Sequence, residues 1–176
     1  MEKILSKAIG NTNIILYGNK KNKNNQILNE VLKDKYGEYT LKRIEHNTFT
    51  YYQNEYMFQF YMHQINSKNQ NKFYNSIQNI IGSKNLYVKD NQKHLIILYQ
   101  FQSIKETLQA KLRVILEKAV ITTYFILVTN NYCSIIEPLR SRCLNIRIPS
   151  ASYEIESKNP ISIICIRLLQ LYDHAF

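Results

Sequence analysis

The chain is short of everything that would tie it to a membrane, a metal or a disulfide framework. It has three cysteines, Cys133, Cys143 and Cys165, an odd number with no pair at zinc-ligand spacing. That excludes a stapled secreted scaffold and fits a reducing compartment. The four histidines, His46, His63, His94 and His174, are scattered, and none has an acidic or cysteine neighbour at ligand spacing, so no metal site is expected. No apolar run at the start resembles a signal peptide. The longest apolar stretches, near Val120–Val128 and Ile161–Leu171, are too short and interrupted to cross a bilayer, so no membrane partner is expected. No internal repeat is present, and the Asn/Lys-rich patches read as solvated loops.

Acidic residues are also scarce: 13 against 23 basic ones in 176 residues, a formal net charge of +10. That imbalance favours an anionic partner, most plausibly nucleic acid. A hydrophobic content of 45% is enough for a real core and excludes a disordered chain.

What is there alternates. Ile14–Tyr17 reads as a buried strand, and Gln26–Tyr36 as a helix stopped by Gly37. Leu41–Ile44 and Tyr56–Phe60 are strand candidates rich in aromatic and β-branched residues. Asn66–Asn71 reads as a loop, and Phe73, Ile77, Ile80 and Ile81 as a helix ended by Gly82. Leu95–Leu98 is a strand covered on both faces. Ile104–Ala119 is a helix with Leu108, Leu112, Ile115 and Leu116 on one face, while Lys111, Glu117 and Lys118 mostly avoid it. Tyr124–Val128 is another strand, Asn130–Ser134 a turn, Ile135–Arg142 a short helix and Leu144–Ile148 a last strand. Strands alternating with helices predict an α/β fold with a parallel sheet.

The stretch "YFILVTNNYCSIIEPLRSRCLNIRIP", Tyr124 to Pro149, resembles the sensor-1 and Ser-Arg-Cys region of clamp-loader small subunits, the replication factor C family of AAA+ ATPases. The same frame continues upstream through "LIILYQFQSIKETLQAKLRVILEKAV", which looks like the family's Walker B strand and following helix. "IILYGNKKNKNNQILNEVLKDKYG" falls where the family has Walker A. "LKRIEHNTF" is similar to the next strand of one small-subunit type. The resemblance covers roughly Ile14 to Pro149, more loosely over Tyr51 to His94. It implies an AAA+ (RecA-like) parallel sheet flanked by helices over residues 1–150. Residues 151–176, "ISIICIRLLQLYDHAF" and what precedes it, would be a lid stub or helical tail, with the lid truncated and the collar absent.

Within that frame the nucleotide chemistry is depleted. A phosphate loop needs glycines that turn backbone N–H groups to the phosphates, a Lys, and a Ser/Thr hydroxyl for Mg²⁺. Gly18 is kept, but Lys23 stands at the second glycine, Asn24 at the lysine and Asn25 at the hydroxyl position. Lys20, Lys21 and Lys23 still attract anions, and a solvated basic loop is the alternative. At the Walker B acids stand Gln100 and Gln102, amides with no charge and no useful basicity near neutral pH. Asn130 matches the sensor-1 polar residue and is equally suited to a strand-end turn. The resemblance therefore implies no ATP hydrolysis and no cofactor in the chain's own site, with ATP entering only at an interface with a neighbouring subunit.

The resemblance also implies that Arg142 is an arginine finger acting in trans, where a planar guanidinium offsets transition-state charge on phosphate; the alternative is a helix C-terminal cap. Arg113 matches a position that faces DNA. The next family basic position is Val114, for which Lys111 or Lys118 would compensate; a solvated helix face is the alternative. The implied partners are other clamp-loader subunits, a sliding clamp and primer–template DNA. The implied location is the nucleus, or the cytoplasm or a viral replication compartment for a non-nuclear source. A stand-alone basic module that binds DNA or a replication protein is the competing expectation.

Overall fold

In the computed structural model, residues 2–149 are described except 20, 47, 56 and 83–92, and except the side chains of 21 and 22. The expected lid stub or tail therefore lies outside the described residues, as do Cys165 and His174.

Among the described residues seven strands form one sheet. They are β1 (Ile14–Tyr17), β2 (Lys42–His46), β3 (Phe49–Gln53), β4 (Met57–Tyr61), β5 (His94–Tyr99), β6 (Thr123–Thr129) and β7 (Leu144–Arg147). Their order is β2-β3-β4-β5-β6-β1-β7. From β4 to β7 every pairing is parallel. At the other edge β2 and β3 add an antiparallel ribbon. The helices are α1 (Glu2–Ala8), α2 (Lys21–Tyr36), α3 (Gln70–Gly82), α4 (Glu106–Lys118) and α5 (Glu137–Arg140).

Successive residues of a strand point to opposite faces, so a strand covered on both sides must be apolar throughout. β5 is buried at every position. Ile14, Leu16, Ile97, Ile126 and Val128 pack against Leu5, Ile9, Leu28 and Leu32 of the α1–α2 layer. Ile15, Ile96, Leu98, Phe125 and Leu127 pack against Phe73, Ile77, Leu108, Leu112 and Leu116 of the α3–α4 layer. Each of these side chains contributes about 1.5–3 kcal/mol by leaving water. The result is a three-layer sandwich with the strand ends exposed along one edge, where ligands of open parallel sheets sit.

Several expectations need correction. α2 starts at Lys21, not Gln26, so the tract read as a polar loop is mostly the helix's first turns. Strand β3 was not anticipated, and the sheet is mixed because of it. α3 begins at Gln70, inside the expected loop. α5 covers only Glu137–Arg140, which leaves Arg142 beyond it. α1, ahead of the first strand, buries Leu5 and Ala8 and is held by the Lys35 ammonium on the Ser6 carbonyl (3.1 Å).

Candidate functional site

Three strand ends define the crevice: β1 at Tyr17–Gly18, β5 at Tyr99–Gln100 and β6 at Thr129–Asn130. Gly18 donates its N–H to the Thr129 carbonyl (3.3 Å). A Cβ on Gly18 would meet Asn24 Oδ1 and the Ile148 carbonyl, each at 2.7 Å, so only glycine fits. The close neighbour is Asn24, 1% exposed in the first turns of α2. Its Nδ2 donates to the carbonyls of Gly18 (3.1 Å) and Thr129 (3.3 Å). Its Oδ1 has no partner among the described residues. The side chain at the expected lysine position thus turns inward and bridges the ends of β1 and β6. Asn25, one residue on, is half-buried and makes no side-chain hydrogen bond to a described residue.

Gln100 adopts left-handed backbone angles (φ 57°, ψ 45°), which costs a non-glycine residue about 1–2 kcal/mol. This kink drives Phe101 into the core and brings Gln102 round to the end of β6. There Thr129 Oγ1 donates to Gln102 Oε1 (2.9 Å), and Gln102 Nε2 donates to Asn130 Oδ1 (3.1 Å). Thr129 Oγ1 also accepts from the Asn131 N–H (3.1 Å). Of the two glutamines, only Gln102 joins the network; Gln100 makes no side-chain hydrogen bond to a described residue.

Tyr99, the last residue of β5, is buried against the α1–α2 layer. It stacks on Tyr61 (5.1 Å between centroids), and its hydroxyl lies 3.5 Å from Asn29 Oδ1 of α2. Burial, then the neighbouring Tyr61 and Tyr39, push its phenol far above the usual range, so it stays neutral. Gly18, Asn24, Gln102, Thr129 and Asn130 are brought together, and all are uncharged.

Arg142 lies elsewhere, on the surface that joins α4 to the end of α5. Its Nε is 2.6 Å from Glu117 Oε1. Its Nη1 donates to the Pro138 carbonyl (2.8 Å) and lies 3.4 Å from Ser141 Oγ. Arg113 Nη1 approaches the same Glu117 oxygen at 3.5 Å. The structure therefore connects two residues that the sequence treated separately, Arg113 and Arg142, through a third that it read only as a solvent-face residue. The Arg113–Glu117 spacing of four was the available signal. Lys111 is exposed, and at two positions from Arg113 on a helix it does not share that residue's face. One residue past Arg142 the chain turns inward: Cys143 is buried, and burial pushes its thiol up to about 12. Arg140 also faces inward, 5.3 Å over the Tyr132 ring, which stacks on Tyr17.

No protein-family model matches the chain, and no curated protein sequence matches it. Solved structures do. A DNA polymerase III gamma subunit-related protein from Thermotoga maritima aligns with a TM-score of 0.59 at 10% identity, over 86% of this chain and 46% of that one. The ORC1 protein of Aeropyrum pernix, solved in complex with DNA, aligns with a TM-score of 0.50 at 11% identity, over 96% of this chain and 48% of that one. Trip13 from Rhizobiales gives a TM-score of 0.50 at 8% identity, over 85% and 49%. The chain has the AAA+ fold. It spans about half the length of each of these proteins.

Proposed function

We propose that this chain is a clamp-loader-type AAA+ subunit that does not hydrolyse ATP in its own crevice and that presents Arg142 to a nucleotide held by a neighbouring subunit. The observation that carries this reading is the contrast between Asn24 and Arg142. Asn24 is sealed between two strand-end carbonyls, where a phosphate-binding side chain would have to face outward. Arg142 lies half in water, and its Nη2 has no partner among the described residues. Among the described side chains, the amides of Asn24, Gln102 and Asn130 supply neither an ammonium to hold phosphate nor a carboxylate to organise a metal or activate water, which supports a site without hydrolysis. Arg142, by contrast, keeps planar donors for a phosphate.

The replication setting is supported by the resemblance of the Ser-Arg-Cys region and by two of the structural neighbours, one gamma subunit-related and one solved on DNA. Arg113, Lys111 and the excess of basic residues would grip primer–template DNA through its phosphates, without reading sequence. Other loader subunits and a sliding clamp would be the protein partners.

The test is ATP turnover by the complex that co-purifies with this chain from its native host, with and without Arg142→Ala. Loss of the finger should slow hydrolysis at the neighbouring subunit's site by roughly 10³-fold or more. Unchanged turnover would remove the in-trans role. A second reading then stands, a stand-alone module that binds DNA or a replication protein. The Glu117 contact favours it, because an arginine bound to its own chain at 2.6 Å can be structural.

A further inference from the structure

Glu117 Oε1 sits between two guanidiniums, Arg142 Nε at 2.6 Å and Arg113 Nη1 at 3.5 Å. Each of these side chains is between 36% and 40% exposed, so the cluster is open to solvent and to solutes. One carboxylate oxygen paired with two guanidiniums is a charge arrangement that a phosphate oxygen would also satisfy. The guanidinium of Arg142 is further oriented by the Pro138 carbonyl and Ser141 Oγ, both engaging Nη1. Among the described residues nothing engages its Nη2, so one edge of the fork stays available.

We infer that Glu117 is an internal stand-in for phosphate: it latches Arg142 onto its own helix α4, and an incoming polyphosphate must displace it to claim Arg142 and Arg113 together. The inference deepens the in-trans reading of Arg142 and rests on it for its biological use, but the latch is a property of this chain alone. It makes Glu117 a positioning residue. With the carboxylate in place, the guanidinium is tethered and partly neutralised. With it displaced, the side chain is free to extend and carries its full charge outward. The latch also joins the surface that would meet DNA, through Arg113, to the residue that would meet a nucleotide.

The experiment is a calorimetric titration of the full chain with inorganic tripolyphosphate at low ionic strength. The comparison is between wild type, Glu117→Gln, Glu106→Gln and the double variant Glu117→Gln/Arg142→Gln. Glu106 lies in the first turn of the same helix and is exposed, so its substitution makes the same change in net charge away from the cluster. An exposed pair of this kind holds its partners by roughly two- to fivefold, so Glu117→Gln should tighten tripolyphosphate binding by about that factor. Glu106→Gln should do less, and the double variant should lose the gain. Equal gains from Glu117→Gln and Glu106→Gln would overturn the latch, since net charge would then explain both. A gain that survives in the double variant would overturn it too, since Arg142 would not be the residue released. Glu117→Asp, which keeps the charge but withdraws it by one methylene, should give an intermediate gain and carries the test if the glutamine variant does not fold. Because no neighbour is present, a gain here with no turnover effect of Arg142→Ala in the complex would sink the in-trans reading alone. The reverse pattern would sink the latch alone.

Discussion

The crevice at the ends of β1, β5 and β6 is closed by its own side chains, whereas the surface joining α4 to α5 keeps its charged groups half in water. In the crevice the polar network is built from protein atoms: Asn24 serves two backbone carbonyls, and Gln102 serves Thr129 and Asn130. On the α4–α5 surface water can replace any partner that is removed. Substitutions in the first region should therefore register as lost stability, and substitutions in the second as lost recognition with the fold intact.

The sharpest way to break that contrast is Asn24→Lys. If the crevice were a dormant phosphate loop, restoring the lysine would create nucleotide affinity. In a sealed site it places an unpaired ammonium among carbonyls and should cost several kcal/mol. Urea denaturation with and without ATP separates the two, and a variant of unchanged stability that gains ATP binding would reverse the interpretation of the crevice. Asn24→Ala and Gly18→Ala should each cost about 1–3 kcal/mol: the first takes Nδ2 away from the carbonyls of Gly18 and Thr129, of which Thr129 keeps the Gly18 N–H, and the second forces a methyl against Asn24 and Ile148.

A smaller and pH-dependent effect belongs to Cys143, where the chain re-enters the core directly after Arg142. Its thiol has a folded-state pKa of about 12 against an ordinary 9.0, so the folded protein keeps a proton that the unfolded chain gives up. The stability this represents is whole below pH 9 and is lost as pH rises toward 12, by about 1 kcal/mol at pH 10. Denaturation of wild type and Cys143→Ala at pH 8, 9 and 10 should show wild type falling faster. Parallel curves would mean that the thiol is not shielded. The smallest expected change is Arg142→Ala, which should alter unfolding free energy by no more than about 0.5 kcal/mol. A larger loss would place Arg142 with the structural residues and dissolve the contrast.

The strands buried on both faces were legible because continuous apolar runs such as "LIIL" have few other solutions. β3 was not, because "FTYYQ" alternates weakly and gains its partners only at the sheet edge, where Tyr51 meets Phe60 and Tyr52 meets Gln59. The early start of α2 was hidden for a similar reason. "KNKNN" is a poor helix former, and what fixes it is Asn24 reaching Thr129, a contact across a sequence separation of 105 residues. In the site, one left-handed residue, Gln100, turns the amide of Gln102 into the network and leaves its own amide without a described partner, a difference the sequence does not display. Glu117 could be seen as a partner for Arg113 by helical spacing. Its contact with Arg142 depends on how the end of α5 returns toward α4, which no local pattern encodes.

The strand order has a consequence in time. β1 is made first, yet both its neighbours, β6 and β7, are made last, and Asn13 alongside it waits for Phe125 across 112 residues. Contacts of such range slow folding. At a synthesis rate of roughly 5–20 residues per second, β1 spends on the order of 5–25 s with both edges unpaired before a partner strand emerges. During that interval an apolar segment, Ile14-Ile15-Leu16, offers open backbone groups to any strand nearby. Refolding at high concentration should therefore fail by association through this segment before it fails anywhere else, and holding β6 and β7 back should hurt yield more than holding back the β2–β3 ribbon.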